Sequence, residues 1–301
     1  MKCAVSSYSF NQRIKKGEIT QKDTVRLAAE MGYEGIDFTS LMPNNDKNAT
    51  LEAQLAFAKE IRAEAEACGI TIIGYTVPAC LYNEDAAADQ AEVERLCGQV
   101  DVAAALGASV MRHDVSKTAM VNDKVVSFDR RVPTIAENAR KIADYAKTKG
   151  IRTCTENHGF FSQDSERMER LYNAVAHDNF GLLVDVGNFA CVDEPSAIAV
   201  SRLAPYAVHV HVKDMHILPF GAELDPEIKY METRACNNLR FCTIGNGDIP
   251  VEQCLAILRR AGYNGWISLE YEGVEDCMTE IPVCLERLKG YLAKAEAKET
   301  K

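Results

Sequence analysis

Short apolar runs alternate with helical segments along the whole of this 301-residue sequence, and glycines separate many of them. A glycine commonly ends a helix, and a β-branched run after it is typical of a buried parallel strand. No G-x-G-x-x-G follows the first strand and no G-x-x-x-x-G-K-[ST] occurs, which argues against Rossmann and P-loop folds. The pattern predicts an α/β fold, a closed (β/α)8 TIM barrel that forms a single domain over residues 1–301.

The predicted strands are short and apolar, and each is followed by a helical pattern. We expect the strands at residues 4–8, 35–38, 71–77, 109–113, 153–157, 182–186, 208–212 and 266–270. We expect the helices at residues 20–31, 51–68, 88–106, 128–149, 165–176, 195–204, 250–261 and 281–295. The stretch between the last two strands is about twice the length of one unit, which predicts a long insertion at about residues 215–243. Loops of that length often act as lids or binding loops.

Four of the predicted strands end in an acidic or imidazole side chain: Glu156, Asp185, His211 and Glu270. The C-terminal ends of barrel strands are where such folds carry their chemistry. Each residue alone could equally be held by a salt bridge or hydrogen bond, but three converging carboxylates repel one another without a cation. Oxygen ligands with one imidazole suit Mn²⁺, Mg²⁺, Co²⁺ or Zn²⁺. The four residues therefore predict a site for one divalent metal ion, and Mn²⁺ is our first choice.

Polar residues near these four are candidates for contact with a substrate. His158 shares a strand face with Glu156, and Lys213 could neutralise a substrate oxygen or pair with a glutamate. Arg112 and Tyr8 lie at the ends of two other predicted strands. Asn188 follows a glycine and is either a turn residue or a substrate contact. The predicted substrate-binding set is therefore His158, Asn188, Lys213, Arg112 and Tyr8.

Composition limits the classes of partner. The net charge is −10 and no basic stripe is visible, which argues against a nucleic-acid partner. No apolar stretch approaches the ~20 residues that span a bilayer, so we expect no membrane association. The eleven cysteines include no C-x-x-C pair, and the first residues are too polar for a signal peptide. These features predict a cytoplasmic protein with a small-molecule substrate, and a homo-oligomer stays possible.

Five segments carry a resemblance to a known family. They read T-E-N-H, V-D-V-G-N, H-V-H-V-K-D, I-G-N-G-D-I and G-Y-N-G-W-I-S-L-E-Y-E. Together they resemble the xylose-isomerase-like barrel superfamily of sugar (phosphate) isomerases and epimerases. The resemblance implies a single divalent metal held by Glu156, Asp185, His211 and Glu270. Asn188 stands where the family's ketose 3-epimerases carry a histidine, and the H-x-K-D form looks closer to the inositol-catabolism branch, with its inosose dehydratase and isomerase.

The resemblance and the residues together predict a metal-dependent sugar isomerase or epimerase. Glu156 and Glu270 would be the catalytic acid and base, transferring a proton through an enediolate of a keto sugar or cyclitol. The same groups could instead serve a lyase, either a dehydratase of the inosose dehydratase type or an enzyme that cleaves oxidised glycosides. A non-catalytic sugar-binding or partner subunit on the same barrel is the alternative of another class.

Overall fold

The computed structural model describes residues 1–83, 85–116 and 127–299, with side chains as far as residue 296. Within those residues, eight parallel strands close into a barrel. Each strand pairs with its neighbour in chain order, and the last pairs with both the seventh and the first. This closed barrel confirms the predicted fold class. The barrel strands are β1 (Lys2–Ser6), β2 (Gly35–Thr39), β3 (Thr71–Val77), β4 (Val110–His113), β5 (Arg152–Glu156), β6 (Phe180–Asp185), β7 (Ala207–Val212) and β11 (Trp266–Leu269).

Helices connect the strands, and their ends follow capping rules. The long helix before β3 starts after Thr50, whose side chain accepts a hydrogen bond from the backbone N–H of Ala53, and it ends at Gly69 with φ 69°. Among the described residues, no helix has the length and apolarity to cross a bilayer. The α-helices are α1 (Asn11–Lys15), α2 (Asp23–Glu30), α3 (Leu51–Cys68), α4 (Ala86–Leu106), α5 (Phe128–Thr148), α6 (Ser165–Val175), α7 (Ser196–Leu203), α8 (Val251–Arg260) and α9 (Cys277–Glu299).

The barrel strands are buried on both faces, as expected for a parallel sheet covered by helices. Every residue of β6 is buried, and only the first residue of β5 is exposed. Glu156 and Asp185 are the last residues of these two strands. The apolar part of each strand therefore fixes the position of a carboxylate at the barrel mouth.

The start of the chain departs from the prediction for the first strand. That strand was expected over residues 4–8, but β1 ends at Ser6 and a 3-10 helix follows at Ser7–Phe10. The side chain of Ser6 accepts a hydrogen bond from the backbone N–H of Tyr8 at 3.3 Å, which turns the chain out of the strand. Tyr8 consequently lies on a helical turn over the barrel mouth and not at a strand end.

The insertion after β7 is a small antiparallel sheet, where the sequence predicted a long loop. Its strands are β8 (Asp214–Leu218), β9 (Met231–Glu232) and β10 (Asn238–Cys242), in the order β8-β10-β9. The Asp214 carboxylate accepts hydrogen bonds from the backbone N–H groups of Gly245 at 2.7 Å and Gly247 at 3.0 Å. One buried carboxylate thus ties the start of this sheet to the loop that leads into α8.

Gly181 in β6 allows a close contact that any side chain would break. A Cβ at Gly181 would lie 2.3 Å from Cγ1 of Val208 and 2.8 Å from its Cγ2. We predict that Gly181→Ala lowers the free energy of unfolding by about 1–3 kcal/mol, measured by urea denaturation. Gly290→Ala is the matched control, because nothing lies within 4 Å of its Cβ in α9 and the helix gains about 0.5–1 kcal/mol. Equal effects of the two variants would contradict this account of the contact.

Candidate metal centre

Four side chains converge at the C-terminal mouth of the barrel. Glu156 and Asp185 end β5 and β6, His211 is the penultimate residue of β7, and Glu270 directly follows β11. One ligand atom from each of the four lies within 4.8 Å of the others. The structure therefore brings together all four of the predicted ligands.

Two atoms of this group are buried without a hydrogen bond among the described residues: Oδ2 of Asp185 and Nδ1 of His211. Each has a charged neighbour, since Nζ of Lys213 lies 3.3 Å from Oδ2 of Asp185 and Oε1 of Glu270 lies 3.5 Å from Nδ1 of His211. The other carboxylate oxygen of Asp185 is satisfied, since it accepts from the backbone N–H of Gly187 at 2.8 Å and of Asn188 at 3.0 Å. Leaving a buried polar atom unpaired costs about 1–3 kcal/mol. Three carboxylates and an imidazole, with two central atoms that make no hydrogen bond to a described residue, are a donor set that fits a hard divalent cation.

Asp37, a residue that the sequence analysis missed, holds His211 in place. The fully buried Oδ2 of Asp37 lies 3.0 Å from Nε2 of His211 and 3.1 Å from Nε2 of His209. A histidine that binds a metal usually gives its other ring nitrogen to such a carboxylate, which fixes the ring orientation. Nδ1 of His211 accordingly lies 3.5 Å from Oε1 of Glu270. Asp37 interrupts an otherwise apolar strand, and that was the signal available in the sequence.

Asp37 and His211 each stabilise the charged form of the other. Burial opposes ionisation of Asp37, but the charge of His211 and the hydrogen bond from His209 hold its pKa well below the usual range. Burial also disfavours the cationic form of His211, yet Asp37 and Glu270 raise the pKa of this imidazole to about 10. Without a bound cation, His211 therefore carries positive charge between two carboxylates.

Two buried cations neutralise the remaining carboxylates. Nζ of Lys213 lies 2.5 Å from Oε2 of Glu270, 2.7 Å from Oε1 of Glu272 and 3.3 Å from Oδ2 of Asp185. Pairing with a glutamate, one of the two roles expected for this lysine, is therefore present. Burial opposes ionisation of Glu270, but Lys213 and His211 lower its pKa to about 2. Arg112 forms an ion pair with Glu156, with 2.7 Å between Nη2 and Oε2. Glycine is required beside the lysine stem, because a Cβ at Gly187 would lie 2.5 Å from Cγ of Lys213.

A cavity of about 610 Å³ opens above the four side chains. Among its lining residues are the predicted metal ligands Glu156 and Glu270. Four of the predicted substrate-binding residues also line this cavity: Tyr8, Arg112, His158 and Lys213. The negative charge of Glu272 and burial together raise the pKa of Tyr8 to about 12, which keeps its hydroxyl protonated.

Asn188 and His158 have partners that the sequence did not indicate. Asn188 begins a 3-10 helix, is buried, and donates from Nδ2 to Oε1 of Glu156 at 3.0 Å. It is not among the residues that line the cavity, so its observed contact is with Glu156. Nδ1 of His158 lies 3.1 Å from Oδ1 of Asp114, which also bonds Arg112 at 2.6 Å. Asp114 is thus a second carboxylate that the sequence analysis missed.

The closed barrel and the four side chains at its mouth define the class, an α/β barrel with a candidate metal site. Comparison with known sequences identifies the family. The family model described as xylose isomerase-like TIM barrel matches residues 25–295, so the chain belongs to that family. The resemblance found in the sequence is confirmed.

Individual relatives are more distant. Over 161 residues the chain is 27% identical to an inosose dehydratase of Yersinia enterocolitica, which covers 51% of this chain and 52% of the relative. The chain thus spans about half the length of the curated relatives it matches. Two solved structures share the fold over nearly the whole chain. The IolI protein with a zinc atom covers 98% of this chain and 99% of its own, at TM-score 0.74 and 15% identity. A D-psicose 3-epimerase crystallised with D-fructose covers 97% and 99%, at TM-score 0.74 and 16% identity.

Asp37 gives this site a direct test. We predict that Asp37→Asn weakens Mn²⁺ binding about 10–100-fold, because the amide no longer orients His211 as the carboxylate does. Free Mn²⁺ measured by electron paramagnetic resonance during titration gives the dissociation constant. Asp144→Asn is the matched control, since Asp144 pairs with His177 at 3.0 Å on the outside of the barrel. Unchanged affinity in Asp37→Asn would rule out this role.

Proposed function

We propose that this protein is a divalent-metal-dependent enzyme that transfers a proton at the carbon next to the carbonyl of a keto sugar or cyclitol. Among reactions of this kind we favour isomerisation or epimerisation. The observation that carries the proposal is a pair of buried atoms that make no hydrogen bond to any described residue, Oδ2 of Asp185 and Nδ1 of His211. They lie in a group with Glu156 and Glu270 beneath a cavity large enough for a sugar ring.

Glu156, Asp185, His211 and Glu270 would hold the metal ion. A divalent ion bound there supplies positive charge that stabilises the oxygens of a carbonyl and a neighbouring hydroxyl as negative charge develops. We favour Mn²⁺ because the set has three oxygen donors and one imidazole. Mg²⁺, Co²⁺ and Zn²⁺ are the alternatives, and the zinc atom bound in the IolI structure supports Zn²⁺ among them.

The two glutamates are placed to move the proton. Glu270 is held ionised by Lys213 and would remove the proton from the carbon, while the electron pair moves onto the carbonyl oxygen. Glu156, which lies beside Arg112 and Asn188, would first take up a proton from solvent and then deliver it to carbon, as the electron pair returns from the oxygen. Glu270 would release its proton to solvent, which resets both carboxylates. Return to the opposite face of the same carbon gives an epimer, and return to the neighbouring carbon gives an isomer. Tyr8 and His158 line the cavity where hydroxyl groups of the sugar would lie.

Dehydration is the second candidate reaction. The relatives named inosose dehydratase favour it, and so does the position of His158 beside Asp114 at the cavity. Because Asp114 engages Nδ1, Nε2 of His158 is the ring nitrogen that could donate a proton to a departing β-hydroxyl. The first half of the reaction, removal of the proton next to the carbonyl, would be the same.

The remaining proposals concern the cell compartment, the size of the substrate and the non-catalytic alternative. We propose a cytoplasmic enzyme, because all eleven cysteines are free and would stay reduced there. The substrate would be a small sugar or cyclitol. A non-catalytic sugar-binding subunit would keep the cavity but need no metal ion for binding.

The role of Glu270 is tested by proton exchange with solvent. In D₂O with Mn²⁺, wild-type protein should incorporate deuterium into a keto sugar or inosose, observed by NMR. We predict that Glu270→Gln slows incorporation by about 10²–10⁴-fold, because the amide cannot accept the proton. Glu227→Gln, at an exposed position in the insertion, is the control and should behave as wild type. Incorporation by Glu270→Gln at the wild-type rate would exclude Glu270 as the base.

Product mass separates isomerisation from dehydration. We expect a product of the same mass as the substrate by mass spectrometry, and His158→Asn should still catalyse deuterium incorporation. A product lighter by one water would instead assign the dehydratase reaction. In that case His158→Asn should lose water elimination while it keeps exchange at the carbon.

A further inference from the structure

A second cavity of about 430 Å³ adjoins the cavity over the metal centre. Three separate parts of the chain form it: the turn after β1, the insertion sheet, and the segment after β11. The insertion contributes Tyr230, Met231 and Phe241, and the segment after β11 contributes Tyr271 and Val274. Nothing in the proposed proton transfer uses these residues.

The two cavities share a wall. Tyr8, Asn11, Lys15 and Glu272 line both of them. Glu272 accepts from Nζ of Lys213 at 2.7 Å, and the same Nζ lies 2.5 Å from Glu270. The ammonium group of Lys213 therefore links Glu272, at the wall of the second cavity, to Glu270, the proposed catalytic base. A group in the second cavity lies close enough to be part of the molecule whose sugar ring occupies the first.

The walls of the second cavity are mainly apolar and partly rigid. Tyr271 is almost fully buried, and its backbone N–H donates to Oγ of Ser9 at 2.8 Å, which also binds the carbonyl oxygen of Leu269 at 2.9 Å. Phe241 lies in β10, paired with β8. Tyr271 backs the cavity, whereas Phe241 and Tyr230 are partly exposed and can offer apolar surface to a ligand. Aromatic side chains around a space of this size suit a flat-faced six-membered ring.

We propose that the second cavity is a subsite for a ring attached to the keto sugar, so that the substrate is a ring-substituted keto sugar and not a free monosaccharide. The inference rests on the proposed function for the sugar half of the substrate. An aryl group and a second pyranose share the required chemistry, namely a flat apolar face. Glu272 and Tyr8 at the shared wall would then contact the atoms that join the two rings.

The test compares one keto sugar with different substituents. Binding of 3-ketoglucose and its methyl, phenyl and glucosyl glycosides to the Mn²⁺-loaded protein is measured by isothermal titration calorimetry. We expect the phenyl or the glucosyl glycoside to bind about tenfold more tightly than the methyl glycoside. Tighter binding of the phenyl glycoside than of the glucosyl glycoside would indicate a subsite for an aryl group. The reverse order would indicate a subsite for a second sugar. Equal affinity for methyl, phenyl and glucosyl glycosides, or no binding of any of the four, would overturn the proposal.

Two variants test whether the gain in affinity for the ring-substituted glycosides arises in the second cavity. Phe241→Ala and Tyr230→Ala should each remove it and leave the affinity for the methyl glycoside unchanged. Tyr230 lies just before β9 and outside the strands of the insertion sheet, so Tyr230→Ala changes no residue that pairs in this sheet. Phe220→Ala is the matched control, because Phe220 belongs to the same insertion, is 79% exposed and lines neither cavity. A gain that survives both cavity variants would place the ring elsewhere.

Deuterium exchange on the same probes separates the two proposals. Exchange without ring-dependent affinity would contradict the subsite alone. Ring-dependent affinity without exchange on any probe would contradict the proposed catalytic function and leave the subsite as a binding site.

Discussion

The balance of charge at the barrel mouth is the constraint on which the rest of the structure depends. Three carboxylates and one imidazole place ligand atoms within 4.8 Å of one another, in a buried position where like charges repel strongly. Lys213 and Arg112 neutralise the outer oxygens, and Asp37 compensates the imidazole of His211. Oδ2 of Asp185 and Nδ1 of His211, which make no hydrogen bond to the residues that the structure describes, lie at the centre, where a divalent cation would complete the balance.

Closure of the barrel is what brings these charges together. Asp185 and His211 are direct partners in the parallel pairing of β6 with β7, and His211 is paired in turn with Ser268 of β11. Asp37 reaches His211 from β2 through the interior of the barrel. Three functions therefore meet at the end of β7. It contributes His211, a proposed metal ligand, then Lys213, which binds Glu270, and then Asp214, which anchors the insertion sheet.

The sequence was sufficient to predict the barrel and the four converging side chains, because strand-end position and apolar periodicity are local properties. It did not give the roles of Asp37 and Asp114, since these lie in contacts with residues far along the chain, although an acidic residue inside the apolar run of β2 was a signal for Asp37. The first strand was placed two residues too late because a serine cap, not hydrophobicity, decides where it ends. The insertion was predicted as a loop because its strands are short and are held together through β10. The second cavity beside it could not be predicted, because three distant segments form it.

The central claim is that one divalent cation is bound by Glu156, Asp185, His211 and Glu270. Anomalous diffraction at the manganese edge, from crystals grown with Mn²⁺, tests it most directly. We predict one strong anomalous peak within bonding distance of all four side chains, next to Oδ2 of Asp185 and Nδ1 of His211. A fully occupied peak elsewhere, or none between these four side chains at saturating Mn²⁺, would contradict it.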